Sequence, residues 1–204
     1  MLDKILKYPR TPHIEGSRCQ PGDEDLDSVS FSKIANRFIV VEEKVDGANS
    51  GISFTSEGEL LLQSRGHYLT GGGREKHFNL FKTWANVHSA KLWDILGDRY
   101  ILYGEWLYAK HTVFYDLLPH YFMEFDIYDK VEQKFLSTEN RRMMLRGYDF
   151  ITSVLVLFEG KMNQHKELTA LLGRSHFISD NARGRLIERC NAMGLNNEKI
   201  LKET

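Results

Sequence analysis

One string constrains this chain more than any other. An apolar, β-branched run, Phe38-Ile39-Val40-Val41, leads into Glu42-Glu43-Lys44-Val45-Asp46-Gly47-Ala48-Asn49-Ser50. Such a run predicts a strand over Phe38–Val45. Side chains alternate along a strand, so Lys44 and Asp46 are expected on the same face. Gly47 predicts a tight turn and a close backbone approach to whatever covers that face. A lysine presented in this way suits nucleophilic chemistry on a bound nucleotide. Read alone, the same residues also suit an ordinary hairpin, with Asp46-Gly47 at the turn and Lys44 solvated.

The rest of the chain decides which architecture that strand joins. The first thirty residues, including Tyr8-Pro9-Arg10-Thr11-Pro12-His13 and Gln20-Pro21-Gly22-Asp23-Glu24-Asp25, read as a turn-rich lead-in. Strands are expected at Ser50–Phe54, Leu60–Ser64, Tyr100–Leu107, His120–Tyr128 and, as a buried strand, Ser153–Phe158. Leu80, Trp84 and Val87 have helical spacing and open a helix running toward Leu96. Further helices are expected at Glu139–Leu145, His165–Leu172 and Ala182–Met193, the last with Ala182, Leu186, Cys190 and Met193 down one side. Strands and helices mix without regular βαβ alternation, which predicts an α+β fold of largely antiparallel sheets with flanking helices. At 204 residues the chain is long enough for one domain with its own core.

Composition removes several functional classes. No apolar run reaches the length of a membrane span, and the start lacks a signal-like apolar stretch, so no membrane role is expected. The two cysteines, Cys19 and Cys190, form no C-x-x-C pair. A zinc or disulfide framework is therefore not expected, and a reducing cytoplasm is the default location. The net charge of −1 gives no global attraction to polyanions; nucleic-acid binding would require basic residues gathered on one face.

Four further features follow Lys44 in order. Arg65 stands in Gln63-Ser64-Arg65-Gly66, after a strand. Glu105 ends Tyr100-Ile101-Leu102-Tyr103-Gly104-Glu105-Trp106. Phe125 and Asp126 lie in Tyr121-Phe122-Met123-Glu124-Phe125-Asp126-Ile127-Tyr128. Carboxylates inside apolar strands are costly unless they meet a partner, a ligand or a metal, which singles out Glu105 and Asp126. Phe125, alternating with Met123 and Ile127, equally suits a buried face, and Asp126 equally suits a structural hydrogen bond. Gly71-Gly72-Gly73-Arg74-Glu75-Lys76 lacks the phosphate-loop pattern and reads as a surface loop. Arg183, Arg185 and Arg189 read as a solvated basic face. The eight histidines show no ligand spacing, and His111 is assigned no role.

In combination, K-V-D-G-A-N, S-R-G, Y-G-E-W and F-D-I resemble the ordered motifs of covalent nucleotidyltransferases, and most closely the ATP-dependent RNA ligases of the RNA ligase 2 type. The resemblance spans about Tyr8 to Gly184. It implies a nucleotidyltransferase (ATP-grasp-like) domain over residues 1–204, working with ATP and magnesium. Residue by residue, it implies that Lys44 attacks the α-phosphorus and holds AMP. Glu43 and Asn49 would line the adenylate pocket and assist sealing, while Asp46 and Gly47 shape the phosphate side. Arg65 and Glu105 would contact the ribose and the RNA end. Phe125 would stack on adenine, and Asp126, with Glu105, would support the metal. The partners implied are RNA 5′-phosphate and 3′-hydroxyl ends.

A lysine amine is nucleophilic only when neutral, and an ordinary lysine pKa is about 10.4, so such a step near pH 7–8 calls for a depression of roughly three units. The family supplies positive field from two later motifs, an E-G run with a following strand and lysine, and a late lysine-bearing strand. Neither is found here. Glu159-Gly160-Lys161-Met162-Asn163-Gln164 puts Gln164 where that lysine would fall, and Lys199-Ile200-Leu201-Lys202-Glu203-Thr204 ends the chain where those motifs would begin. The expectation is a domain whose C-terminal part is missing and whose self-adenylation is poor. The alternatives are a nick-sealing DNA ligase, a GTP-using capping-type enzyme, or a non-catalytic nucleotide- or RNA-binding module.

Overall fold

A computed structural model gives the architecture and describes residues 4–17 and 27–202. Cys19, the turn-rich string 20–25 and the last two residues of the polar terminal segment lie outside the described residues. The strands are β1 (His13–Ile14), β2 (Ser28–Val29), β3 (Phe38–Glu42), β4 (Ala48–Phe54), β5 (Leu60–Ser64), β6 (Tyr100–Trp106), β7 (Phe122–Asp129), β8 (Lys134–Phe135), β9 (Thr152–Ser153) and β10 (Val156–Lys161). The helices are α1 (Asn79–Val87), α2 (Ser89–Leu96), α3 (Thr138–Leu145), α4 (His165–Thr169), α5 (Ala182–Ala192) and α6 (Asn197–Lys202). This is the expected α+β class, with its principal sheet largely antiparallel.

The chain divides into two compact units. The smaller comprises Lys7–Glu43 and Leu155–Arg174. It holds the antiparallel pair β3–β10 and the short parallel pair β1–β2. Asn36 N–H donates to the Met162 carbonyl at 2.8 Å, and Phe31 meets the His165 ring edge-on. β10 stops at Lys161, and Gln164 caps α4, its N–H donating to Glu167 Oε1 at 2.8 Å.

The larger unit comprises Met1–Leu6, Lys44–Val154 and Ser175–Thr204. Its six-stranded sheet runs β5-β4-β6-β7-β8, with β9 parallel to β7. Even-numbered positions of β4, β5 and β6 bury Ile52, Phe54, Leu62, Leu102 and Trp106 against Phe81, Ala85, Leu92, Ile95 and Leu96 of α1 and α2. Full burial of such side chains stabilises by about 1.5–3 kcal/mol each. The odd-numbered positions are thereby committed to the opposite face.

A bulge in β7 breaks this simple parity. Tyr103 pairs with Asp126 but Gly104 pairs with Glu124, leaving Phe125 as an extra residue. Phe122 and Ile127 consequently reach the same core, while Met123 and Phe125 join Val45, Leu107 and Val154 in a second cluster. The expected alternation of Phe125 with Ile127 on one buried face is therefore wrong. Gly104 permits the crossing, because a Cβ there would stand 2.7 Å from the Met123 carbonyl oxygen.

Other expectations also change. β3 ends at Glu42, so Lys44 is not on a strand. β3 pairs with β10 while β4 pairs with β5 and β6, so no hairpin joins β3 to β4 at Asp46-Gly47. The helix from Leu80 to Leu96 is two helices broken at His88, and the face presented by α1 is Phe81 and Ala85 rather than Leu80 and Val87. The sheet demands contact one residue away from the most hydrophobic-looking register. Ser153–Phe158 splits between β9 and β10, with Val154 buried, Ser153 and Leu155 exposed, and Val156, Leu157 and Phe158 half-buried. In α5, Ala182, Leu186 and Cys190 are buried as expected, but Met193 is exposed.

Candidate active site

The odd face of the β5–β4–β6 surface carries the site. Asn49 pairs directly with Glu105, and the β4–β5 register, Ser50 opposite Ser64, brings Arg65 opposite Asn49 one step beyond the strand. Arg65, Asn49 and Glu105 thus form a row across three strands. Farther along the same face, Gln63 Nε2 and the Tyr103 hydroxyl both donate to the Leu6 carbonyl, at 2.8 and 2.7 Å.

The segment Lys44–Gly47 crosses one end of this row. Val45 is buried, whereas Lys44 is exposed, so the alternation predicted for a strand persists without one. Three hydrogen bonds hold the segment. Asp46 N–H donates to the Tyr115 hydroxyl at 2.8 Å, Thr112 N–H donates to Asp46 Oδ2 at 2.9 Å, and Gly47 N–H donates to Glu105 Oε1 at 3.0 Å. Gly47 is required by proximity: a Cβ there would lie 2.5 Å from the Trp106 carbonyl oxygen and 2.8 Å from Leu107 Cδ2.

These residues line a cavity of about 850 Å³, which brings together Lys44, Asp46, Gly47, Asn49, Arg65 and Glu105. Such a volume accommodates a nucleotide-sized ligand. Burial raises the Glu105 carboxyl to about 7; the Gly47 N–H, Lys44 and Arg65 oppose that rise, and Asp46 adds to it. Glu105 is therefore poised to exchange its proton near neutrality.

Three sequence candidates do not line the cavity. Glu43 is buried, and its N–H donates to the Leu155 carbonyl at 2.8 Å. Phe125 is half-buried in the cluster behind Val45. Asp126 Oδ1 lies 3.7 Å from Arg141 Nη1, and Arg141 Nε lies 3.5 Å from Glu124 Oε1. Sequence reasoning missed Glu124, fully buried and bonded to Ser153 Oγ, although it sits in the same acidic-in-apolar pattern as Asp126. The rest of the cavity wall is Ala48, Ser64, His67, Gly71–Gly73, Glu75, His77, Phe78 and His111, of which sequence reasoning read Gly71–Glu75 as a surface loop and gave His111 no role. Among the described residues, no group of three or more His, Cys, Asp or Glu is placed to hold a metal ion. Of the three cavity carboxylates, Glu75 is engaged by Gly71 and Lys82, which leaves Asp46 and Glu105 as the pair suited to a divalent cation ligated mainly by substrate phosphates. No helix among the described residues is long and apolar enough to cross a membrane.

The sheet and its flanking helices match the fold of solved RNA ligases. An RNA ligase of Naegleria gruberi, as a lysine-to-methionine variant with AMP and manganese, superposes with a TM-score of 0.55 at 15% identity, covering 67% of this chain and 41% of that one. A lysine-to-alanine variant of it with ATP and manganese gives 0.53 at 15% identity, over 67% and 41%. An apo aspartate-to-alanine variant gives 0.53 at 17% identity, over 74% and 44%. The RNA ligase family model matches residues 37–194, and the chain belongs to that family. It spans about two fifths of the length of the RNA ligases it matches in structure. No curated protein sequence matches it.

Proposed function

We propose that this chain forms the nucleotidyltransferase part of an ATP-dependent RNA ligase, in which Lys44 takes AMP from ATP and passes it to an RNA 5′-phosphate. The observation that carries the reading is the convergence of Lys44, Asn49, Arg65 and Glu105 on one cavity in a chain of the RNA ligase family. In the first step the Lys44 amine, having lost a proton, bonds to the α-phosphorus of ATP while the bond to pyrophosphate breaks. In the second, the RNA 5′-phosphate oxygen displaces the lysine. In the third, a 3′-hydroxyl displaces AMP and the phosphodiester forms.

The chain's own groups have distinct tasks. The bonds to Tyr115, Thr112 and Glu105 hold the nucleophile segment still, so that reach and angle are set before the phosphate arrives. Arg65 offers its guanidinium to phosphate or to ribose oxygens. Glu105, protonated in part near neutrality, can donate to or accept from a ribose hydroxyl. Asn49 contributes an amide to the same row. Phe125, packed with Val45 behind the segment, supports it from there. Magnesium, when bound through phosphates with Asp46 or Glu105, would neutralise charge developing on the leaving group.

The test is incubation of the chain with ATP and magnesium, followed by intact-mass measurement. A mass gain of one AMP that is absent in Lys44→Ala and labile in acid supports lysyl-AMP formation. Comparing GTP with ATP, and DNA ends with RNA ends as acceptors, separates capping-type and DNA-sealing chemistry. Nucleotide or RNA binding without adduct would instead favour a binding module.

A further inference from the structure

The cavity wall opposite the nucleophile segment is built from two loops: the turn Ser64–His67, which carries Arg65, and the triglycine Gly71–Gly73. The triglycine has no side chains to hold it. Gly71 and Gly72 sit at φ of +119° and +123°, and an added Cβ at either would meet nothing within 4 Å. Glycine is present there for backbone conformation, and a chain this free does not keep one shape unaided.

Glu75 supplies what the loops lack. Its side chain is buried, and Oε2 accepts from Gly71 N–H at 2.9 Å and from Lys82 Nζ of α1. Its Oε1 lies 3.8 Å from His67 Nε2, and His67 Nδ1 shares a 3.0 Å hydrogen bond with Ser64 Oγ. Ser64 N–H closes the same turn on the His67 carbonyl at 2.9 Å. One carboxylate therefore links the glycine loop, the Arg65 turn and a core helix. A buried ion pair such as Glu75–Lys82 is a weak source of net stability, which argues for a role beyond folding.

We infer that Glu75 is a positioning residue of the nucleotide cavity, holding the triglycine loop and the Arg65 turn in their ligand-ready geometry. The Lys82 ammonium keeps its carboxyl below the usual carboxylate range, so it stays an acceptor through the neutral region. The inference rests on the reading of this cavity as a nucleotide site, and its test does not depend on catalysis.

The experiment compares wild type with Glu75→Ala and Glu75→Gln, by amide hydrogen exchange and by adduct kinetics with ATP. In Glu75→Ala, exchange over Ser64–Phe78 should rise at least about tenfold while β4 and β6 stay protected. KM for ATP should rise about five- to twentyfold with kcat within about twofold. Glu75→Gln, which keeps an acceptor for Gly71, should recover most of both effects. Unchanged exchange in Glu75→Ala overturns the inference. So does exchange rising equally across β4 and β6, which marks plain destabilisation, and so does a fall in kcat without a change in KM. If wild type forms no adduct, exchange alone, with and without ATP, decides the role of Glu75.

Discussion

Replacing Glu105 with glutamine should change how stability depends on pH, with a sign and size that follow from the burial of the carboxyl. Burial raises this group from its ordinary value of 4.5 to about 7. The folded state then binds a proton that the unfolded state has released over the window between those values. A raised carboxyl contributes stability that is fully present below about pH 4.5 and is lost as pH climbs through about 7. A shift of roughly two and a half units corresponds to about 3 kcal/mol. Glu105 is half-buried at the cavity, so solvent screening reduces the expected loss between pH 5 and 8 to about 2 kcal/mol. Glutamine cannot titrate, yet its side-chain oxygen can still accept from Gly47 N–H. Urea unfolding of wild type and Glu105→Gln at pH 5, 6, 7 and 8 measures the difference. The variant should gain about 2 kcal/mol relative to wild type across that range. A difference that stays flat with pH, or that moves in favour of wild type as pH rises, would refute the reasoning about burial.

Gly47→Ala should be destabilising by about 1–3 kcal/mol, because its Cβ would press on the Trp106 carbonyl and Leu107; thermal unfolding measures this, and an unchanged midpoint would show that the close approach is relaxed. Arg141→Met should cost about 3–5 kcal/mol near neutral pH, since it strands the fully buried Glu124 beside Asp126. That loss should shrink in acid, as protonation of the carboxylates removes the uncompensated charge, and chemical denaturation at two pH values reads both effects. Lys44→Ala should leave stability within about 0.5 kcal/mol, because the side chain is exposed, while abolishing any acid-labile AMP adduct.

The chemically charged parts of the site were legible because their signals are local. Lys44, Arg65 and Glu105 each end or follow an apolar strand whose period is visible in sequence, Asn49 opens the next one, and the strands Leu60–Ser64 and Tyr100–Trp106 formed where that period placed them. What failed was whatever depends on a partner. The bulge at Phe125 follows from the closeness of Gly104 and Phe122 across two strands, so the face assigned to Ile127 was wrong. The inward face of α1 was set by the sheet beneath it, which took Phe81 and Ala85 and left Val87 to solvent. Glu75 and the triglycine looked like an ordinary surface loop, because neither a lysine seven residues away nor a histidine eight residues back marks a carboxylate as a hub.

Local sequence therefore determined which residues could do chemistry here: a lysine before a glycine that must be a glycine, an arginine after a strand, and a glutamate inside one. Tertiary structure alone decided that they meet. The row Arg65–Asn49–Glu105 exists through two pairing registers set by burial of the opposite face, where a slip of one residue would turn every member into the core. It alone decided that Glu105 is raised toward neutrality, since burial is a property of the packed sheet and not of the residue. Backbone periodicity is encoded residue by residue, whereas register, burial and the company each charge keeps are encoded only in the fold.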